Sequence, residues 1–346
     1  ITFIKKDLTF ASRETEDGLR YPIENLTDYP GIGDFLAEMK EKCFDLHDCM
    51  TVAEAPGVGE ETFRRYAGEH GYFSMIFDFT WENMEGEADK SSVEAVERWK
   101  KRILKSQRFT SEIGWNGLFL ENHDQSRCVN KYLEKDQIGY AGASALAVMY
   151  FYLYGTPFIY QGQELGLANV DFASIDEIND VESRNLYQEL CGKMPSEEAW
   201  KRILAGTRDH ARAPVPWNAG PNGGFTAGTP WLRMADGWQT CNAADEMRDP
   251  DSVFHYYKKL IALRRENPAL VYGAFRPVFL KTKRHADVFC YFRVLDGRKF
   301  YVECNLTAHQ TPRPAPLSGA QAKRIGNYAE EAPVLRPYEA NVYEVL

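Results

Sequence analysis

Four short apolar runs alternate with helical stretches across the first half of this chain. The runs fall at residues 50–53, 72–79, 117–120 and 157–160. Apolar residues recurring at steps of three and four predict helices over 32–46, 60–69, 91–105 and 141–154, with Ser91 or Ser92 placed to cap the third. Short apolar strands alternating with helices argue for a parallel sheet clad in helices. In such an architecture the C-terminal ends of the strands form one working face.

Two of these runs end on acids. Thr51-Val52-Ala53-Glu54-Ala55-Pro56-Gly57 places Glu54 after the first, and Leu120-Glu121-Asn122-His123-Asp124-Gln125-Ser126-Arg127 places Asp124 after the third. Acids in matching positions on one face read as a pair for acid/base work on a glycosidic bond. The plainer reading of Glu54 is an acid at a helix N-terminus, favoured by the helix dipole. The plainer reading of His123-Asp124 is a surface or capping pair.

Four βα units make half of an eight-stranded barrel, and a half barrel leaves open edges. Either the sheet is open and complete, or these are strands five to eight of a (β/α)8 barrel. Residues 168–250 read as an elaborated loop, with helical pieces at 181–191 and 196–205 and a stretch rich in Gly, Pro and Asn at 214–231. A clean amphipathic helix is expected at 252–266. After Pro268 the pattern turns β-like, with runs at 288–294 and 299–304 joined by Leu295-Asp296-Gly297-Arg298. The Asp-Gly step signals a hairpin, and no further helix is expected. The reading is therefore α/β. It assigns 1–269 to the second half of a barrel and 270–346 to a small antiparallel β-sandwich domain.

A net charge of −9 without a Lys/Arg-rich block argues against nucleic acid as a partner. No apolar run reaches the length of a membrane span. Seven cysteines, an odd number without a C-x-x-C, suggest reduced thiols in a cytoplasmic protein rather than a disulfide framework or a zinc site. The histidines lack metal-ligand spacing and no phosphate-binding glycine motif stands in a suitable context, so neither metal nor cofactor is expected.

The two acidic segments, with Gly155-Thr156-Pro157-Phe158-Ile159-Tyr160-Gln161-Gly162, Ser174-Ile175-Asp176, Arg208-Asp209-His210-Ala211-Arg212-Ala213-Pro214-Val215-Pro216-Trp217 and Gly223-Gly224-Phe225-Thr226, resemble the alpha-amylase family of retaining glycoside hydrolases. The nearer likeness is to its alpha-glucosidase branch, which includes oligo-1,6-glucosidases and dextran glucosidases. It runs from residue 1 to about 275. The resemblance implies that Glu54 is the acid/base and that His123 and Asp124 hold the sugar at the cleavage subsite. It further implies that Arg212 contacts the non-reducing-end glucose, and that Ala55 and Pro56 tune linkage preference on the acceptor side. The family nucleophile, an aspartate closing the fourth strand, would lie about two residues before Ile1. Residues 1–346 alone are then expected to be inactive.

Ala53, Glu121, Gln163, Ala213 and Pro216 depart from the family pattern. Glu121 is expected to add a charge near the site. Trp115, Tyr160 and Trp217 are either sugar-stacking platforms or core aromatics. The implied activity is exo-acting release of glucose from the non-reducing end of short isomalto- or malto-oligosaccharides, leaning towards alpha-1,6 over alpha-1,4 links, by a monomer. The alternatives are a sucrose- or trehalose-phosphate-acting relative, and a non-catalytic, transporter-associated relative.

Overall fold

The fold is described from a computed structural model covering residues 18, 31–55, 59–81, 89–278, 287–314, 321–330 and 332–346. Four parallel strands form one sheet in sequence order: β1 (Val52–Glu54), β2 (Met75–Phe77), β3 (Asn116–Leu118) and β4 (Thr156–Pro157). Helix α1 (Ile32–Met39) precedes β1 and continues as a π turn, Lys40–Phe44. Helix α2 (Glu60–Ala67) links β1 to β2, and α3 (Val93–Ile113) links β2 to β3. Ser92 caps α3, its hydroxyl accepting from the Ala95 N–H, and the helix runs eight residues beyond the sequence expectation. Helices α4 (Cys128–Tyr132) and α5 (Tyr140–Phe151) link β3 to β4. Among the described residues the sheet does not close into a barrel.

Close packing between strands explains two glycines. A Cβ on Gly117 of β3 would stand 2.8 Å from the Phe77 ring, and one on Gly155 would stand 2.4 Å from the Asn116 carbonyl oxygen. Gly155 also has φ +138°, a conformation that suits glycine.

Between β4 and the later helices lie α6 (Val181–Cys191), α7 (Ser196–Gly206), α8 (Asp209–Arg212) and α9 (Ala243–Arg248). Then come α10 (Val253–Glu266), capped by Ser252 at the His255 N–H, and α11 (Pro268–Tyr272). The last was not expected. Pro268 stands at its first position, where proline costs no helix hydrogen bond, so a helical turn begins where a β-like pattern was expected.

Antiparallel strands follow: β5 (Ala274–Pro277), β6 (Val288–Leu295), β7 (Arg298–Asn305), β8 (Thr311–Pro312), β9 (Gln321–Gly326), β10 (Val334–Leu335) and β11 (Ala340–Val345). Five of them make a sheet in the order β5-β6-β7-β11-β9, and β8 pairs with β10. The β6–β7 turn has Asp296 and Gly297 at φ 48° and 80°, as a type I′ hairpin requires.

Helix α5 is apolar on every side and is the hub of the core. It packs against α10, β4, β7 and β11, so both sheets share it. Each large side chain buried there contributes roughly 1.5–3 kcal/mol. Buried Arg293 of β6 fastens the two parts. Its guanidinium donates to the carbonyls of Tyr152 and Leu153 beyond α5, and to those of Val271 and Gly273 around α11.

Candidate active site

Parallel pairing in register brings the C-terminal ends of β1 to β4 to one face. A cavity of ≈ 400 Å³ opens there. Phe77, Phe79, Phe119 and Phe158 form much of its wall, with Glu54, Glu121, Asn122, His123 and Tyr160 supplying polar groups. The rings brace one another edge to face: Phe77 lies 5.5 Å from Phe119 and 4.8 Å from Phe158, centroid to centroid. Apolar walls with few polar groups suit a small organic ligand.

Glu54 is the last residue of β1 and is exposed on this cavity. His123 lines it from the loop after β3. Asp124 follows, 41% exposed, in a turn held by its own N–H donating to the Asn122 side chain at 2.9 Å. His123 Nε2 stands 3.2 Å from Asp124 Oδ2. Arg212, the last residue of α8, reaches the loop after β3. Its Nη2 donates to Asp124 Oδ1 at 2.8 Å and its Nε to the His123 carbonyl oxygen at 2.9 Å. The structure thus brings Glu54 and His123 onto one cavity and ties Asp124 and Arg212 to His123. Ala55 turns the other way: it is fully buried in the cluster of Phe63, Ile76 and Phe109, and is not on the cavity wall. Pro56 lies outside the described residues.

Several side chains differ from expectation. Glu121 does not add a free charge. It is buried against Arg127, whose Nη1 donates to Glu121 Oε2 at 3.0 Å and to the Gln161 carbonyl oxygen at 2.7 Å, while Oε1 accepts from the Cys128 N–H. The Arg127 guanidinium also lies 5.5 Å from the Tyr160 ring. Gln163 is buried, donating to the hydroxyls of Tyr150 and Tyr257 and accepting from the Tyr160 N–H, so it supports the cavity wall from behind. Trp115 precedes β3, at the opposite end of the strands from the cavity. It donates to Thr156 Oγ1 and packs on Tyr154 and Tyr272. Trp217 is 56% exposed and does not line the cavity. Tyr160 does line it, its hydroxyl donating to the Ala211 carbonyl oxygen.

Sequence reasoning also missed groups. Asp78 follows β2 and is a third acid at a strand end, but it is fully buried, accepting from Ser106 of α3 and from the Thr80 N–H. Arg208 and Asp180 join the Asp124 cluster; Arg208 stood in a quoted segment without a role of its own, and Asp180 carried no signal. The four wall phenylalanines sit at strand ends, where the apolar runs marked them without separating wall from core.

A parallel sheet with a carboxylate-bearing cavity at the C-terminal ends of its strands defines an α/β protein whose working face lies at those strand ends. The family model "Alpha amylase, catalytic domain" matches residues 1–273, and the chain belongs to the alpha-amylase family. It is 36% identical to an oligo-1,6-glucosidase of Halalkalibacterium halodurans over 91% of its own length and 58% of that protein. It is 33% identical to the trehalose-6-phosphate hydrolase of Escherichia coli over 98% of its length and 62% of that protein. The crystal structure of the Bacillus licheniformis trehalose-6-phosphate hydrolase superposes with a TM-score of 0.82 at 31% identity, covering 94% of this chain and 61% of that one. The chain therefore spans about three fifths of the length of the curated relatives it matches. Among the described residues no helix is long and apolar enough to cross a membrane.

Proposed function

We propose that the protein is a retaining alpha-glucosidase that releases glucose from the non-reducing end of short alpha-1,6-linked oligosaccharides. The observation carrying this reading is the placement of Glu54 and His123 on one cavity, with Asp124 tied to His123 beside it. In the proposed reaction Glu54 gives its proton to the departing sugar oxygen. It then takes a proton from the water that releases glucose. A second carboxylate attacks the anomeric carbon from the opposite face. Asp124 and His123 hold ring hydroxyls, and an ionised Asp124 favours the positively charged transition state. The phenylalanine walls keep water away and strengthen these interactions. Carboxylates suffice for this chemistry, so no cofactor enters. The reading includes a monomeric, cytoplasmic enzyme.

The likeness to oligo-1,6-glucosidases supports the alpha-1,6 preference. The competing reading is a phosphorylated or non-reducing disaccharide substrate, favoured by the similar likeness to trehalose-6-phosphate hydrolases. Comparing kcat/KM of the full-length protein on isomaltose, maltose, sucrose and trehalose 6-phosphate separates them. Preference for isomaltose is the expected result. Preference for maltose overturns the linkage, and preference for trehalose 6-phosphate or for isomerising sucrose overturns the substrate class. Absence of turnover on all four points to a non-catalytic relative.

A further inference from the structure

The inserted segment between β4 and α10 reaches Asp124 twice. Arg212 is the first contact. The second is Arg208, just before α8, whose Nη1 lies 3.6 Å from the same Oδ1 that Arg212 holds. Arg208 is itself gripped from behind. Its Nε donates to Asp180 Oδ1 at 2.9 Å and its Nη2 donates to the same oxygen. Arg212 Nη1 stands 3.8 Å from that oxygen too. Two guanidinium groups thus bridge one exposed and one buried carboxylate.

We propose that Asp180 and Arg208 are positioning residues for Asp124, and that α6 to α8 form the rigid arm that carries them. This rests on the glucosidase reading above. Asp180 is built into the arm from both sides. Its Oδ2 accepts from the Ser183 N–H (3.1 Å) and hydroxyl (2.6 Å), capping α6. Its own N–H donates to Asp209 Oδ2 at 3.0 Å, and that oxygen also accepts from the Asn179 N–H, which joins the start of α6 to the start of α8. Burial pushes the Asp180 carboxyl up, but the Arg208 and Ser183 hydrogen bonds outweigh it and hold the group below the usual carboxylate range.

The arrangement has a mechanical and an electrostatic consequence. An exposed carboxylate rotates freely unless its oxygens are held. Here both arginines hold Oδ1, which fixes the plane and leaves Oδ2 toward His123. The two arginines would over-neutralise a lone Asp124. Buried Asp180 draws part of their charge back, and the exposed Glu182 a smaller, solvent-screened part, so Asp124 keeps its own charge for a sugar hydroxyl.

The test is steady-state kinetics of the full-length protein on an aryl alpha-glucoside, with Asp180→Asn, Arg208→Ala, Arg208→Lys and the double variant Asp180→Asn/Arg208→Ala. Misplacing a substrate-holding group costs chiefly in the transition state, so kcat should fall on the order of 10- to 100-fold while KM moves less than about threefold. Arg208→Lys keeps the charge but not the two-pronged grip, and should restore only part of kcat. The double variant should be no slower than the slower single one, because both act through one cluster. Glu182→Gln, altering an exposed acid 3.4 Å from Arg208 Nη2, should leave kcat within about twofold. Unchanged kcat in active protein overturns the proposal, as do additive losses, or losses that only track the fraction of protein folded at the assay temperature. Wild-type protein without turnover overturns the glucosidase reading, and this inference with it.

Discussion

Arg127→Met tests how much the floor of the cavity depends on one buried ion pair. Arg127 and Glu121 have side chains 1% exposed each. Removing the guanidinium leaves the Glu121 carboxylate buried against Cys128, whose N–H donates to it, without its paired positive charge, and leaves the Gln161 carbonyl oxygen without its 2.7 Å partner. Breaking one side of a buried pair costs about 3–5 kcal/mol, most of it the uncompensated charge. At roughly 2.1 cal/mol/K per residue, 346 residues give an unfolding entropy of about 0.7 kcal/mol/K. A loss of about 4 kcal/mol then lowers Tm by about 6 °C. Adding Glu121→Gln to the variant removes the orphaned charge and should recover more than half of that loss. The assay is thermal unfolding followed by circular dichroism at neutral pH. An Arg127→Met protein melting within about 1 °C of wild type would refute the assignment of Glu121 as a charge neutralised inside the fold.

Two further outcomes follow from neighbouring residues. His210 is buried, its Nε2 donating to the Leu204 carbonyl oxygen and its Nδ1 accepting from the Val170 N–H; burial lowers its pKa to about 4. The native state therefore binds its proton less readily than the unfolded chain, so stability present above about pH 6.5 is lost as pH falls towards about 4. Between pH 7 and 5 wild type should lose about 2 kcal/mol more than His210→Gln, measured by denaturant unfolding at both values; equal losses contradict the buried neutral ring. Gly117→Ala forces a methyl against the Phe77 ring and should cost about 1–3 kcal/mol in the same assay, with weaker ligand binding as the wall shifts. A neutral outcome would show that the wall gives way freely.

What the sequence made legible follows from periodicity. The alternation of short apolar runs and helices was enough to place parallel strands with Glu54 and Asp124 on one face, because strand polarity decides where the ends point. The Asp296-Gly297 hairpin and the Ser92 cap were local backbone chemistry, and local signals survive folding. Strand limits were less legible. The second run suggested eight residues, while β2 spans Met75–Phe77, since apolar side chains continue into the cavity wall after pairing stops. Charge pairing was hidden for another reason. Glu121 and Arg127 stand six residues apart across a turn, and Asp180 meets Arg208 across two helices. Such partners are brought together by tertiary packing, which spacing along a chain does not record. The roles of Trp115 and Gln163 were hidden in the same way, because their partners belong to other elements.

The role of Glu54 is tested most directly by Glu54→Gln in the full-length protein, assayed on isomaltose and on an aryl alpha-glucoside with a good leaving group, with and without azide. Loss of a proton donor should slow isomaltose cleavage about 10²- to 10⁴-fold, because its leaving sugar needs protonation. The aryl substrate should still form the glucosyl-enzyme, and azide should restore its turnover and give an alpha-glucosyl azide. Isomaltose turnover at the wild-type rate in this variant would contradict the account.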